Sequence, residues 1–177
     1  MGPCGYYLVQ IGDDGEPAYD VTGQPIITDP RPGLYALTNG DPGSLGIQLQ
    51  ETTAGTLVLL PKQARIGVEF GFQRTNTDFE TELGRRYVYP RFNRQIRTMV
   101  FRLNPSQLLQ FFILDQLVGG ERDPFFFWPD RDNAATLFYC RKEANLTVKQ
   151  VDGVQGGTMV DYQMSLSEEP TGLTISA

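Results

Sequence analysis

From about residue 45 onward this chain alternates apolar with polar or small side chains, a period of two that only an extended strand with one buried face satisfies. Ile66, Val68, Phe70 and Phe72 form a strict series opposite Gly67, Glu69, Gly71 and Gln73. Met99, Phe101 and Leu103 oppose Thr98, Val100 and Arg102, and Val160, Tyr162, Met164 and Leu166 alternate up to Glu168-Glu169-Pro170. Thr56 to Leu60 reads as a more buried strand ending at Pro61, and Tyr87-Val88-Tyr89 stops at Pro90. Leu137 to Lys142 and Leu146 to Val151 predict a hairpin around Glu143-Ala144-Asn145.

One segment argues for helix at both of its ends. Asn104 suits the cap, Pro105 the first helical position, and Gln107 stands where it reaches back to the cap's own N–H. Leu108, Leu109, Phe111, Phe112, Leu114, Leu117 and Val118 follow, a spread that predicts burial over most of the circumference, and Gly119-Gly120 supplies the stop. The helix is expected at about 105–118. Phe125-Phe126-Phe127-Trp128, bracketed by prolines, reads as a short strand in the core, because such a run exposed on a monomer would promote aggregation. Many short strands with turn signals at intervals and one helix predict a mainly β fold, a β-sandwich or barrel.

Residues 61–177 read as the packed domain. Residues 1–60 read as an acidic, turn-rich arm or subdomain whose strands pair with the rest of the chain or with another subunit. Clusters such as Thr28-Asp29-Pro30-Arg31-Pro32-Gly33 and Asn39-Gly40-Asp41-Pro42-Gly43 argue there against continuous helix.

The chemistry is constrained by what is missing. With no histidine among 177 residues, a Ser-His-Asp or Cys-His centre and a His-ligated metal site are excluded. Cys4 and Cys140 are too few for a zinc cluster and read as the thiols of a protein made in a reducing cytoplasm. No phosphate-binding glycine loop or nucleophile elbow occurs. Asp13-Asp14-Gly15 and Asp130-Arg131-Asp132-Asn133 echo calcium loops, but a closing glutamate is absent and both read as turns. Two carboxylates alone could serve a glycosidase, with Glu69, Asp78, Glu80, Glu82, Glu168 and Glu169 as candidates. Solvated carboxylates are the simpler reading, so no enzyme activity, cofactor, metal or catalytic residue is expected. No run approaches the roughly 18 apolar residues of a membrane span.

Net charge is −6, and residues 1–60 carry all of it, with seven acids against Arg31 alone. Between Glu82 and Asp115 there is no acid, yet Arg85, Arg86, Arg91, Arg94, Arg97 and Arg102 lie in that interval. Arginine's planar fork is favoured at protein interfaces, and an acidic first third complements a basic middle. Arg85, Arg86, Arg91, Arg94 and Arg97 are therefore the expected subunit contacts, against the plainer reading of a cationic strand face balanced by acids of the same fold. The acidic chain lacks any recognised nucleic-acid signature, which argues against direct nucleic-acid binding.

The order of elements is familiar. Gly84-Arg85-Arg86-Tyr87-Val88-Tyr89-Pro90, then Met99-Val100-Phe101-Arg102-Leu103 and Leu108-Leu109-Gln110-Phe111-Phe112, lead to Pro124-Phe125-Phe126-Phe127-Trp128-Pro129-Asp130. Leu137 to Lys142 and Tyr162 to Pro170 close the series. Over about residues 66–170 this resembles minor tail proteins of tailed bacteriophages, in particular distal tail and baseplate-hub proteins. The resemblance implies a structural virion protein, made in the host cytoplasm, with a β-sandwich or split-barrel fold and one helix packed on the sheet, that forms a homo-oligomeric ring, commonly sixfold. Such a ring joins the tail tube to hub, fibres or receptor-binding proteins, with DNA at most passing through its lumen. The alternative class is a carbohydrate- or receptor-binding β-sandwich module, which would need Tyr6, Tyr7, Tyr19 and Tyr35 exposed as a coplanar platform.

Overall fold

A computed structural model describes residues 4–61, 69–82, 86–133, 137–143, 147–151 and 158–169. In chain order the elements are β1 (Gly5–Leu8), α1 (Arg31–Thr38), a short 3-10 turn (Pro42–Leu45), β2 (Gln48–Thr52), β3 (Gly55–Leu59), β4 (Glu69–Glu80) and β5 (Arg86–Leu103). Then come α2 (Pro105–Leu117), β6 (Phe125–Trp128), β7 (Phe138–Lys142), β8 (Thr147–Val151) and β9 (Met159–Glu168). The fold is mainly β with a helix packed on the sheet, as the alternation and the capping pattern predict. The nine strands among the described residues belong to one antiparallel sheet in the order β2-β3-β1-β6-β7-β9-β5-β4, with β8 also paired to β9.

The strand faces follow the period of two. Met99, Phe101 and Leu103 of β5 and Tyr162, Met164 and Leu166 of β9 are fully buried and face each other across the ladder, as in Met99↔Met164 and Phe101↔Tyr162. On the opposite face the same strands pair Thr98 with Ser165, hydroxyl to hydroxyl at 3.0 Å, and Arg102 with Asp161. α2 lies on the buried face, with Phe111 ring centroids 4.7 Å from Phe101 and 5.1 Å from Tyr162. Its capping box forms as the sequence specifies: Asn104 Oδ1 accepts from Gln107 N, and Gln107 Oε1 accepts from Asn104 N.

The first sixty residues pair with the rest of the chain. β1 sits between β3 and β6, its residues Gly5 to Leu8 opposite Trp128 to Phe125. Both of its faces are covered, so Tyr6 joins the helix-side core while Tyr7 packs with Val9, Leu57, Phe126, Trp128 and Tyr139 on the other side. Cys4, Leu34, Ile47, Val58 and Leu60 enter the same helix-side core as Phe111 and Phe127. What leaves the sheet is shorter than an arm. Residues 9–28 form a small meander of bridges, Val9↔Ile27, Ile11↔Pro17 and Tyr19↔Pro25, with exposed tips at Asp13–Glu16 and Asp20–Gly23.

Three local expectations need correction. α1 starts inside the Pro-rich cluster read as denying helix: Pro32 occupies the first turn, where its missing N–H costs nothing, and Asn39 ends the helix in the left-handed region at φ 54°. β5 does not stop at Pro90. Asn76 pairs with Pro90 and Thr75 with Phe92, so a register shift absorbs the residue that cannot donate to a ladder. β7 and β8 do not form a hairpin with each other. Both run antiparallel to β9, β7 along Leu166–Glu168 and β8 along Met159–Gln163, as two stretches on one side of that strand.

Candidate assembly surface

β4 and β5 are much longer than their surroundings require. β9 pairs with β5 only over Ile96–Leu103, where β9 ends at Glu168. From Gln95 back to Arg86, β5 pairs only with β4 among the described residues, in the register Phe72↔Gln95 to Glu80↔Arg86. A two-stranded ribbon therefore runs on past the sheet for about 30 Å at roughly 3.4 Å per residue. A lone hairpin of this kind is marginal in water unless something packs on it.

The expected contact arginines divide along this boundary. Arg86 and Arg91 are carried on the ribbon strand, Arg91 beside the register shift, and Arg94 stands at its root. Arg85 lies outside the described residues. Arg97 is half-buried on the core side of β5, its guanidinium carbon 3.9 Å from the Phe138 ring centroid. Its pKa is pulled down, first by loss of solvent, against an opposing pull from Glu168. Arg102 is answered within the fold by Asp161 through two bonds, at 2.9 and 3.1 Å, as the balanced-face reading expected of such a residue. Arg141 is likewise held by Glu169 at 2.9 Å.

The four tyrosines of the alternative reading do not come together. Tyr6 and Tyr7 are 1% exposed and lie on opposite faces of the sheet, so the four tyrosines form no platform. Glu69 and Asp78 stand nine residues apart on one strand, about 30 Å, far beyond the separation a carboxylate pair needs. Glu169 is engaged by Arg141. Asp130 Oδ1 accepts from Asp132 N, and Asp14 Oδ1 accepts from Glu16 N, so both calcium-like stretches are turns closed by their own backbone. Asp20 does the same for Thr22 and Gln24, and the Thr22 hydroxyl is the first cause of its lowered pKa.

A second surface was missed by the sequence reading. α2 is apolar on all sides, yet Leu109 and Phe112, one turn apart, remain 41% exposed each. Beside α2 lies α1, so close that a Cβ on Gly33 would meet Leu117 Cδ2 at 2.8 Å, and α1 exposes Tyr35 at 48% and Leu37 at 44%. The all-round hydrophobicity of residues 108–118 was the available signal, since a helix of that kind is ordinarily covered on every side. Near the sheet's other face Val100, Lys149, Asp161 and Gln163 line only a shallow depression. Comparison with protein-family models, with curated proteins and with solved structures finds no match for this chain.

Proposed function

We propose that the chain is a structural subunit of a bacteriophage tail. It assembles with copies of itself into a ring, sixfold in the family it resembles, at the distal end of the tail, and joins the tube to hub, fibres or receptor-binding proteins. The observation that carries this reading is the β4–β5 ribbon, about 30 Å of strand that among the described residues is paired only with itself. A protein working alone gains nothing from so long an unsupported projection. A subunit that reaches its neighbour does, and head-to-tail contacts of that kind close into rings when the rotation allows. Arg86, Arg91 and Arg94 on the ribbon strand would supply charge-complementary contacts to an acidic partner surface. The chain acts in this role by packing and docking, with no catalytic residue and no cofactor.

Mass photometry and negative-stain imaging of the purified full chain test the reading. Closed rings are expected, and ring formation should weaken when Arg86, Arg91 and Arg94 are together changed to Glu. A chain that stays monomeric up to its solubility limit, or that is absent from assembled particles, would overturn it.

A further inference from the structure

We infer that the α1–α2 layer of one copy receives the β4–β5 ribbon of the next, a statement that rests on the assembly reading and adds to it the identity of the acceptor surface. Two features of the same molecule each lack what the other offers. The ribbon is a pair of strands that needs an apolar surface to lie on, and over residues 72–80 and 86–95 it carries Arg74, Arg86, Arg91 and Arg94 against Asp78 and Glu80. The helix layer exposes Leu109 and Phe112 on α2 with Tyr35 and Leu37 on α1. Residues 29–60 and 104–123, which build that layer and its margins, contain the acids Asp29, Asp41, Glu51, Asp115, Glu121 and Asp123 against the bases Arg31 and Arg122. Within the chain Arg31 binds Asp29 and Glu51, Lys142 binds Asp115 and Arg122 binds Asp123, while Asp41, whose carboxylate accepts from Gly43 N, and Glu121 are exposed.

In the structure described the same molecule's own ribbon does not occupy the layer, because among the described residues β4 stands at the edge of the sheet, paired with β5 alone. A second copy is the occupant that brings a cationic ribbon of the right kind to an apolar surface margined by acids. The contact is heterologous, ribbon to helix, so every subunit donates once and accepts once. Leu109 and Phe112 sit at its centre and the arginines at its rim, the arrangement in which buried apolar anchors carry most of the affinity.

The test uses the full chain with two substitutions that stay on the surface, Leu109→Glu and Phe112→Glu, and a second variant in which the ribbon is shortened by joining Phe72 to Gln95 through Asn-Gly. Each is expected to weaken self-association by at least about thirtyfold while its circular dichroism and unfolding midpoint stay near those of the parent chain. Mixed one to one, the two variants should form a heterodimer, since each retains the surface the other has lost. Separately, a chain carrying Thr77→Cys with Leu109→Cys should give covalent multimers on oxidation, joined between those two positions. The native thiols, Cys4 and Cys140, are buried. If the parent assembles, shortening the ribbon abolishes assembly, and the helix-face variant assembles normally without a 77–109 cross-link, the acceptor is elsewhere and the inference fails while the assembly reading stands. If the parent chain never self-associates, both fail.

Discussion

Lys142, buried on β7, sets its ammonium against the Asp115 carboxylate of α2 and lies 5.9 Å from the centroid of the Tyr162 ring, a charged tie between the helix and the sheet beneath it. Removing one partner strands the other in a poorly solvated place. Lys142→Met alone is expected to cost about 3 kcal/mol in urea unfolding, and Lys142→Met with Asp115→Leu to recover most of it. A double-mutant cycle with no coupling between the two positions would contradict the tie.

The Tyr162 hydroxyl is buried beside this pair and has no hydrogen-bond partner among the described residues. Tyr162→Phe removes a desolvated hydroxyl and leaves the ring packing with Phe111 in place. Stability should rise by about 1 kcal/mol, and a loss of that size would mean the hydroxyl is satisfied in solution.

Cys4 is buried in the helix-side core, and loss of solvent pushes its thiol up to about 12 from 9.0. The folded chain then holds this proton at pH values where the unfolded chain has released it. Stability is unaffected below about pH 9 and falls as pH rises from there toward 12, because folding must withdraw a proton from solution. Unfolding midpoints measured from pH 8 to 11 should show a shallower alkaline decline in Cys4→Ala than in the parent. At pH 8 the thiols should react with a disulfide reagent only after denaturant is added.

At Gly5 a Cβ would stand 2.8 Å from the Val58 carbonyl oxygen, a backbone atom that cannot swing aside. Gly5→Ala must separate β1 from β3 in the middle of the sheet, and a loss of about 1–3 kcal/mol is expected. Thermal unfolding of the single variant decides it.

Asn104→Ala removes the acceptor that satisfies Gln107 N at the start of α2. About 1 kcal/mol should be lost, and Asn104→Ser should retain most of it, since a hydroxyl accepts the same bond.

The local rules carried far along this chain. The alternation in β5 and β9 told which side chains enter the core, and Asn104, Pro105 and Gln107 marked the start of α2, because capping and strand period are set by neighbours a few residues apart. The same rules misread Pro32 and Pro90. A proline reports only that a donor is missing, and whether that breaks an element depends on whether a helix start or a register shift is there to absorb it. The expected arginine contacts show the limit most clearly. Arg94 and Arg97 look alike in sequence, three residues apart in one acid-free run, but Phe138 comes beneath Arg97 only once β7 has taken its place near β5.

By itself, then, the order of residues determined that this protein is built from half-buried strands and one capped apolar helix, without imidazole chemistry, because periodicity and composition need no knowledge of the fold. Only tertiary structure decided that β1 lies beside β6, that β9 ends where the β4–β5 ribbon runs on alone, and that Leu109 and Phe112 are left uncovered. Those outcomes depend on how far each strand's partner extends, and a partner far along the chain leaves no mark on local pattern.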